Sequence, residues 1–103
     1  MRILLFVPLF AACATQDFGV CDAEDQCSEY TFSSEYWRLD LIADYCEGTF
    51  SYTGECAADS AVGTCSFNGE YATSVHTYYG PAFTAETAQV ECETVVVGTF
   101  SAA

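Results

Sequence analysis

The pattern of apolar and polar positions divides the chain into a short apolar start and a longer region with mixed helix and strand signals. Residues 3–10 form an apolar run that only Pro8 interrupts. These eight residues would rise about 12 Å as a helix, well short of the ~30 Å hydrocarbon core of a bilayer. The run is therefore too short to be a transmembrane anchor.

A first helix is predicted over residues 35–45. Ser34 can cap its first turn, and Glu35 lies where the helix dipole favours an acidic side chain. Large apolar residues recur at helical spacing along one side, so we expect this stripe to face the core. The stripe consists of Trp37, Leu41, Ile42 and Tyr45.

A second helix is predicted over residues 85–93, with Thr84 as its cap. Phe83 precedes the cap and Ala88 is the fourth helical residue, a pair that can form a hydrophobic staple. Ala88 and Cys92 share one face of this helix, and such small residues let a helix lie close to a sheet.

The segments between and after the helices carry strand signals. Residues 63–67 and 70–79 flank Asn68-Gly69, a pair typical of the type I′ turn of a β-hairpin. Residues 71–76 alternate as a half-buried strand should. Two further short strands are predicted at 49–52 and 94–100.

This order of elements predicts a small α+β domain, with an antiparallel sheet, two short helices and disulfide stabilisation. Two stretches, about 27–51 and 65–101, each contain a cysteine, a strand, a helix ending near a second cysteine, and then Gly-Thr-Phe-Ser. We interpret them as a degenerate strand–helix–strand duplication. The alternative is a chance match of one four-residue string.

Cysteine content predicts a covalent framework. Of the seven cysteines, Cys13 closes the apolar start and six follow residue 20. An even number in a small exported chain predicts three disulfides, which compensate for the limited core of a domain of this size. The internal repeat favours the pairs Cys27–Cys46, Cys65–Cys92 and Cys21–Cys56.

The start of the chain has the layout of a secretion signal, with Arg2, the apolar run and then small residues. The string Phe10-Ala11-Ala12-Cys13 resembles the lipobox of bacterial lipoproteins, although that family prefers Leu at the position of Phe10. The resemblance implies a signal peptide over 1–12 and a lipid-modified Cys13. We then expect a tether over 13–20 and one domain over 21–103.

Two alternatives to the lipobox remain. Ala12-Cys13-Ala14 also fits ordinary signal peptidase, which would cut after Ala14 and release a soluble inhibitor or effector domain. The other alternative is a buried N-terminal helix of a cytosolic protein. We favour the lipid-anchored form, located at the cell envelope and facing the periplasm or exterior.

The second half of the chain resembles small cysteine-rich bacterial lipoproteins without a known activity. These proteins share a Val-Gly-x-Cys step, a Tyr-Tyr pair, a late cysteine and a closing Gly-Thr-Phe. The resemblance implies neither an activity nor a site. In this chain the shared features are Val62–Cys65, Tyr78-Tyr79, Cys92 and Gly98–Phe100.

Charge restricts the partners of the protein. All 15 Asp and Glu residues follow Cys13, the chain has no Lys, and Arg38 is its only arginine after the signal. Such a surface repels phosphate backbones and anionic lipids, so we expect no nucleic-acid partner and membrane attachment only through lipid on Cys13. A cationic or polysaccharide envelope partner is expected. Alternatively, the acidity only keeps an aromatic-rich surface soluble.

No pattern indicates catalysis, a cofactor or a metal. His76 is the only histidine, and its alternating strand favours a surface or cross-strand role. Ser74 shares its face, but no third group is indicated. Asp22, Glu24 and Asp25 lack the Gly and the distal Glu of an EF-hand loop. We therefore expect a binding or structural protein and not an enzyme.

Tyrosines are the candidate contact residues, because they bind partners with little loss of conformational entropy. The leading candidates are Tyr71, Tyr78 and Tyr79, on the predicted hairpin strand. The alternative is that half or more of the tyrosines fill the core. The other candidates are Tyr30, Tyr36 and Tyr52.

Overall fold

The computed structural model describes residues 18–32, 39–70 and 72–103. The predicted signal peptide, Cys13, Trp37 and Tyr71 lie outside these residues. The described elements confirm a small α+β domain that is mostly sheet. They are β1 (Phe18–Asp22), β2 (Gln26–Phe32), α1 (Leu39–Tyr45), β3 (Thr49–Ser51), β4 (Ala61–Asn68), β5 (Ala72–Tyr79), α2 (Ala85–Glu91), a π-helical turn (Cys92–Val96) and β6 (Thr99–Ala102).

The six strands form one antiparallel sheet in the order β3-β1-β2-β5-β4-β6. The first three strands along the chain form one half of the sheet and the last three form the other. Each half is a hairpin, then a helix, then an edge strand that pairs with the first strand of its own hairpin. The halves meet where β2 pairs with β5.

Strand register shows that the two halves are related by a pseudo-two-fold axis. Cys21 pairs with Ser28 in the first hairpin, and Cys65 pairs with His76 in the second, so Ser28 and His76 are equivalent. These two residues also pair with each other across the seam between β2 and β5. The axis therefore passes between Ser28 and His76.

The repeated Gly-Thr-Phe-Ser string lies at the edge strand of each half. Phe50 pairs with Cys21 in β1, and Phe100 pairs with Cys65 in β4. Each string begins with a glycine because a Cβ there would collide with a backbone carbonyl of the neighbouring strand, that of Asp22 or of Ser66. The string therefore marks where the chain leaves a helix and joins the sheet. The glycines are Gly48 and Gly98.

The structure corrects the extent of the repeats. The predicted first copy began at Cys27, whereas the equivalent of Cys65 is Cys21. The repeating unit is thus a hairpin, a helix and a strand, and not a strand, a helix and a strand. Phe18, Gly19 and Val20 belong to β1 and pair with β2, so the folded domain also includes the end of the predicted tether.

This equivalence explains the disulfides. Each half ties the cysteine of its first strand to the cysteine directly after its helix. The prediction for Cys65–Cys92 is confirmed, and the other two predicted pairings are wrong, because they assumed that Cys27 belonged to the repeat. The three disulfides are Cys21–Cys46, Cys27–Cys56 and Cys65–Cys92.

Two hydrophobic clusters lie on opposite faces of the sheet. One face, the helix face, carries α2, and there Cys65, Tyr78, Ala88 and Cys92 form a cluster that Phe83 packs against. The other face carries the segment 52–60, which Cys27–Cys56 attaches to the sheet; its cluster includes Val20, Cys27 and Tyr79.

The second helix begins as predicted. The Thr84 side chain accepts a hydrogen bond from the Thr87 amide, and the Thr87 hydroxyl accepts one from the Thr84 amide. Phe83 and Ala88 pack in the same cluster, as the staple requires. The strand predicted over 94–100 begins only at Thr99, because the chain continues from α2 as the π-helical turn, in which Val96 packs against that cluster.

Two other local predictions are corrected. The β4–β5 hairpin is present, but Asn68 pairs with Thr73, and neither Asn68 nor Gly69 has a left-handed φ. The Gly69 amide also donates to the Ala72 carbonyl at 2.8 Å, so the turn lies after Gly69 and not at Asn68-Gly69. The apolar stripe of α1 is also wrong, because Leu41 is 49% exposed and Tyr45 is 83% exposed.

Candidate functional site

The main cavity of interest lies on the helix face, between α1 and the end of the β4–β5 hairpin. It measures about 360 Å³, and we call it the hairpin pocket. Ile42 is the residue of α1 that lines it, which explains why Leu41 and Tyr45 point elsewhere. The sheet supplies most of the wall. Its lining includes Tyr30, Phe32, Ile42, Phe67, Glu70 and Ala72.

The wall of the pocket is mainly aromatic and aliphatic. The rings of Tyr30 and Phe32 lie parallel, with their centroids 6.4 Å apart. They project from the same face of β2 because they are two residues apart along the strand. Phe67 is exposed and Ala72 is half-buried, so these two residues connect the pocket to the surface. Glu70 is the only charged residue among the described residues that line the pocket.

At its inner end the pocket meets a buried polar network on the pseudo-two-fold axis. His76 Nδ1 lies 2.7 Å from Ser28 Oγ, and His76 Nε2 lies 2.9 Å from Ser74 Oγ. Ser74 also lines the pocket. The ring of Tyr30 meets the imidazole edge-on, at a centroid distance of 5.9 Å.

Of the two roles expected for His76, the structure shows the cross-strand one, because its side chain is only 8% exposed and contacts Ser28 on the neighbouring strand. The missing third group is Ser28, which the sequence could not indicate because it comes from a distant strand. Burial lowers the pKa of His76 below its ordinary value. In the neutral imidazole one ring nitrogen donates to a serine and the other accepts from a serine. Both nitrogens are thus satisfied without a charge.

A Ser–His contact of 2.9 Å also invites comparison with hydrolases, in which histidine activates a serine nucleophile. Such enzymes hold the developing oxyanion with free backbone N–H groups. Ser74 lies inside β5, which pairs with a strand on both of its edges. The amides around Ser74 are thus bound within the sheet.

The structure places Tyr78 and Tyr79 in the core and not at a contact surface. Tyr78 is fully buried against Phe83, and Tyr79 is buried on the opposite face. Burial, with a smaller effect of the Glu91 charge, raises the pKa of Tyr78 to about 12. Neither residue is accessible to a partner in this fold, and the third leading candidate, Tyr71, lies outside the described residues.

Other aromatic side chains are exposed instead. Tyr45, Tyr52 and Phe67 all reach the surface. Of these, only Tyr52 is a contact candidate predicted from the sequence, and Tyr45 is predicted to face the core. The helical spacing of Tyr45 is correct, but spacing alone does not tell which side of a short helix faces the sheet.

A second cavity, of about 340 Å³, occupies the corresponding place in the other half of the domain. Its lining is acidic, with Glu24, Asp25 and Glu47 beside Phe83. Within the described residues, no three His, Cys, Asp or Glu side chains are placed to hold a metal ion together. The pseudo-symmetric cavities have therefore diverged, one being apolar and the other acidic.

Two properties of the described residues bear on partners. Residues 18–32, 39–70 and 72–103 include no Lys or Arg, while most of their carboxylates are exposed. In the same part of the chain, the helices are too short and too polar to cross a membrane. The described surface thus carries a net negative charge.

No protein-family model, curated protein or solved structure matches this chain. Its function must therefore be inferred from its own residues.

Proposed function

We propose that this chain is an exported binding domain, anchored at the cell envelope by lipid on Cys13, which binds a cationic partner. Three disulfides are typical of an oxidising, extracytoplasmic compartment. They use all six cysteines of the described residues, which leaves Cys13 of the lipobox-like string as the seventh. This pattern supports a separate role for Cys13.

The observation that carries the binding proposal is the anionic surface. A protein with no positive side chain over its described surface attracts basic groups from a distance and disfavours anionic partners. Tyr45, Tyr52 and Phe67 add exposed apolar area with few rotatable bonds. Basic protein segments with aromatic side chains complement both properties.

The proposed role is binding and not catalysis. The Ser28–His76–Ser74 network is buried, and its polar atoms are satisfied by one another. Buried networks of this kind stabilise one arrangement of a core. In this protein the network lies at the seam between the two halves, where it fixes the position of β2 relative to β5.

A soluble, secreted inhibitor or effector is the second candidate. Ala12-Cys13-Ala14 favours it, since ordinary signal peptidase would then cut after Ala14. The binding surface would be the same in both cases. The two candidates differ in the mature N-terminus and in attachment to a membrane.

Mass spectrometry of the mature protein tests the anchor. We expect an N-terminus at Cys13 that carries acyl chains, and we expect Cys13→Ala to leave the membrane fraction. Thr15→Ala is the matched control, because it leaves the lipobox-like string unchanged. A free N-terminus at Thr15, or a Cys13→Ala variant that stays in membranes, would show that the anchor is wrong.

Calorimetric titration tests the cationic partner. We expect poly-L-lysine to bind the purified protein in ~0.15 M NaCl and the affinity to fall as the salt concentration rises, because screening weakens charge attraction. A neutral polysaccharide should bind more weakly. Stronger binding of the polysaccharide, with no dependence on salt, would contradict the proposal and support a polysaccharide partner.

A further inference from the structure

The sheet has two edges, and they differ in how well they are protected against pairing with another strand. Each edge strand contains one copy of Thr-Phe-Ser, so β3 and β6 occupy equivalent places in the two halves. Among the described residues, none pairs with the outer side of either strand. An edge strand has backbone N–H and C=O groups that point away from the sheet and can bind a further strand. Proteins usually prevent this with charged side chains, prolines or very short edge strands.

The edge formed by β3 has two of these protections. The strand is very short, because it consists of only the three residues Thr49–Ser51. Carboxylates also border it, since the exposed Glu47 comes two residues before the strand and Thr49 pairs with the exposed Asp22 of β1. A strand from another acidic protein would therefore be repelled from this edge.

The edge formed by β6 lacks this protection. Its strand, Thr99–Ala102, contains neither a charged residue nor a proline, and the residues of β4 that pair with it, 63–66, are uncharged as well. The turn that leads into the strand adds exposed apolar side chains, because Val95 is 66% exposed and Val97 is 70% exposed. The β6 edge is therefore an uncharged, partly apolar surface on a protein whose net charge is −13.

The distribution of charge favours a second copy of this chain as the partner of the β6 edge. A basic segment would form no ion pair with residues 94–103, because they include no carboxylate side chain. Two copies repel each other wherever carboxylates face one another, and contact through β6 avoids placing the carboxylates of its two edge strands opposite each other. The domain already joins its own two halves by antiparallel pairing across a pseudo-two-fold axis, at β2 and β5. Pairing of β6 with β6 would use the same geometry.

We propose that two copies of this chain associate through their β6 edges, with the two strands antiparallel about a two-fold axis, so that the two sheets become continuous. This inference is independent of the proposed cationic partner, which can bind the acidic surface away from β6. The strand is short and the molecule is strongly charged, so the association is weak and depends on protein concentration.

Sedimentation velocity of the purified mature protein, without acyl chains, tests the association. Between ~10 µM and ~1 mM protein we expect the sedimentation coefficient to rise from that of a monomer towards that of a dimer. The dimer fraction should increase from ~0.05 M to ~0.5 M NaCl, because screening weakens the repulsion between copies. Hydrogen exchange should slow at residues 99–102 as the dimer forms, but not at 49–51. A monomer under all these conditions, or a dimer without protection at 99–102, would overturn the proposal.

Two equivalent threonines locate the contact. Thr99→Glu puts a carboxylate on the β6 edge, and Thr49→Glu puts the same charge at the matching exposed position of β3. At ~0.5 M NaCl we expect Thr99→Glu to raise the dimer Kd several-fold and Thr49→Glu to leave it nearly unchanged, because only the first brings like charges together across the dimer axis. Ser101→Glu, also at an exposed position of β6, should act like Thr99→Glu even if that variant does not fold. Equal Kd values for the β3 and β6 variants would show that the copies associate elsewhere and overturn the proposal.

Discussion

At the scale of single residues, Tyr78 and Tyr79 are neighbours in β5 with opposite hydrogen-bonding situations. The Tyr79 hydroxyl donates to the Ala57 carbonyl at 2.7 Å. The Tyr78 hydroxyl is fully buried and has no hydrogen-bond partner among the described residues. A buried polar group without a partner costs about 1–3 kcal/mol, whereas a satisfied one contributes to stability.

We therefore expect the two Tyr→Phe substitutions to change the free energy of unfolding in opposite directions. Tyr78→Phe should raise it by about 1 kcal/mol, because the unpaired hydroxyl is removed and the ring is kept. Tyr79→Phe should lower it by about 1 kcal/mol, because the Ala57 carbonyl loses its donor. Urea unfolding of both variants at neutral pH measures the difference. A loss of stability in Tyr78→Phe would show that its hydroxyl has a partner.

His76 predicts a specific dependence of stability on pH. Burial lowers its pKa in the folded state, while in the unfolded chain it keeps the ordinary value near 6.5. As the pH falls below about 6.5, the unfolded state binds a proton that the folded state binds less readily. The free energy of unfolding should therefore fall through this window, and above it the contribution should be fully present.

Comparison with His76→Gln isolates this effect, because the carboxylates titrate in both proteins. Urea unfolding between pH 5 and 7.5 measures the two free energies. We expect the difference between wild type and variant to be constant above about pH 7 and to decrease below 6.5. A difference that stays constant over the whole range would mean that His76 titrates equally in both states.

At the scale of elements, the clearest conflict between local preference and structure is at Val97, where the π-helical turn after α2 ends. Val97 has φ 60° and ψ 47°, the left-handed region that β-branched residues avoid. Its amide and that of Gly98 both donate to the Cys92 carbonyl, which closes the π-helical turn. The valine side chain is 70% exposed and gains little from packing.

Val97→Gly should accordingly raise the free energy of unfolding by about 1 kcal/mol, because glycine adopts this conformation without strain. Val95→Gly is the matched control, since Val95 is also an exposed valine but lies inside the turn. Glycine there should lower stability by about 0.5–1 kcal/mol. Thermal unfolding compares the two. If both variants lose stability equally, residue 97 is not strained.

The sequence predicts those elements whose presence and ends are determined by residues close together in the chain. Thr84 as the cap of α2 and the hairpin of β4 and β5 follow from capping and turn residues nearby in the chain. The run Thr94–Val97 was mispredicted as a strand, because local propensity there is overridden by the packing of Val96 and by the Cys65–Cys92 disulfide. The sequence did not predict that Ile42 is the residue of α1 that faces the sheet, because this depends on how α1 packs against the sheet.

At the scale of the whole molecule, the dominant feature is uncompensated negative charge. The net charge is −13, and the described residues include no Lys or Arg. Repulsion among carboxylates is larger in the compact state than in the expanded chain, so it opposes folding. The disulfides counteract it by restricting the unfolded chain.

Stability should consequently rise with ionic strength. We expect the thermal midpoint at neutral pH to increase between ~0.01 M and ~0.5 M NaCl, as the Debye length falls from about 30 Å to below 10 Å. Sucrose at matched osmolarity is the control, because it strengthens compact states without screening charge. An increase in sucrose equal to that in NaCl would argue against a role for charge repulsion.

By itself, the sequence determined the composition-driven properties of this protein: an acidic surface, six cysteines suited to three disulfides, and helix and strand segments of an α+β domain. Only the tertiary structure decided that Cys21, and not Cys27, is the partner of Cys46, that Ser28 meets His76, and which side of α1 faces the sheet. The first two depend on the register between strands far apart in sequence, and the third depends on how α1 packs against the sheet. A one-residue change in register exchanges the faces of a strand, and no local pattern reports it.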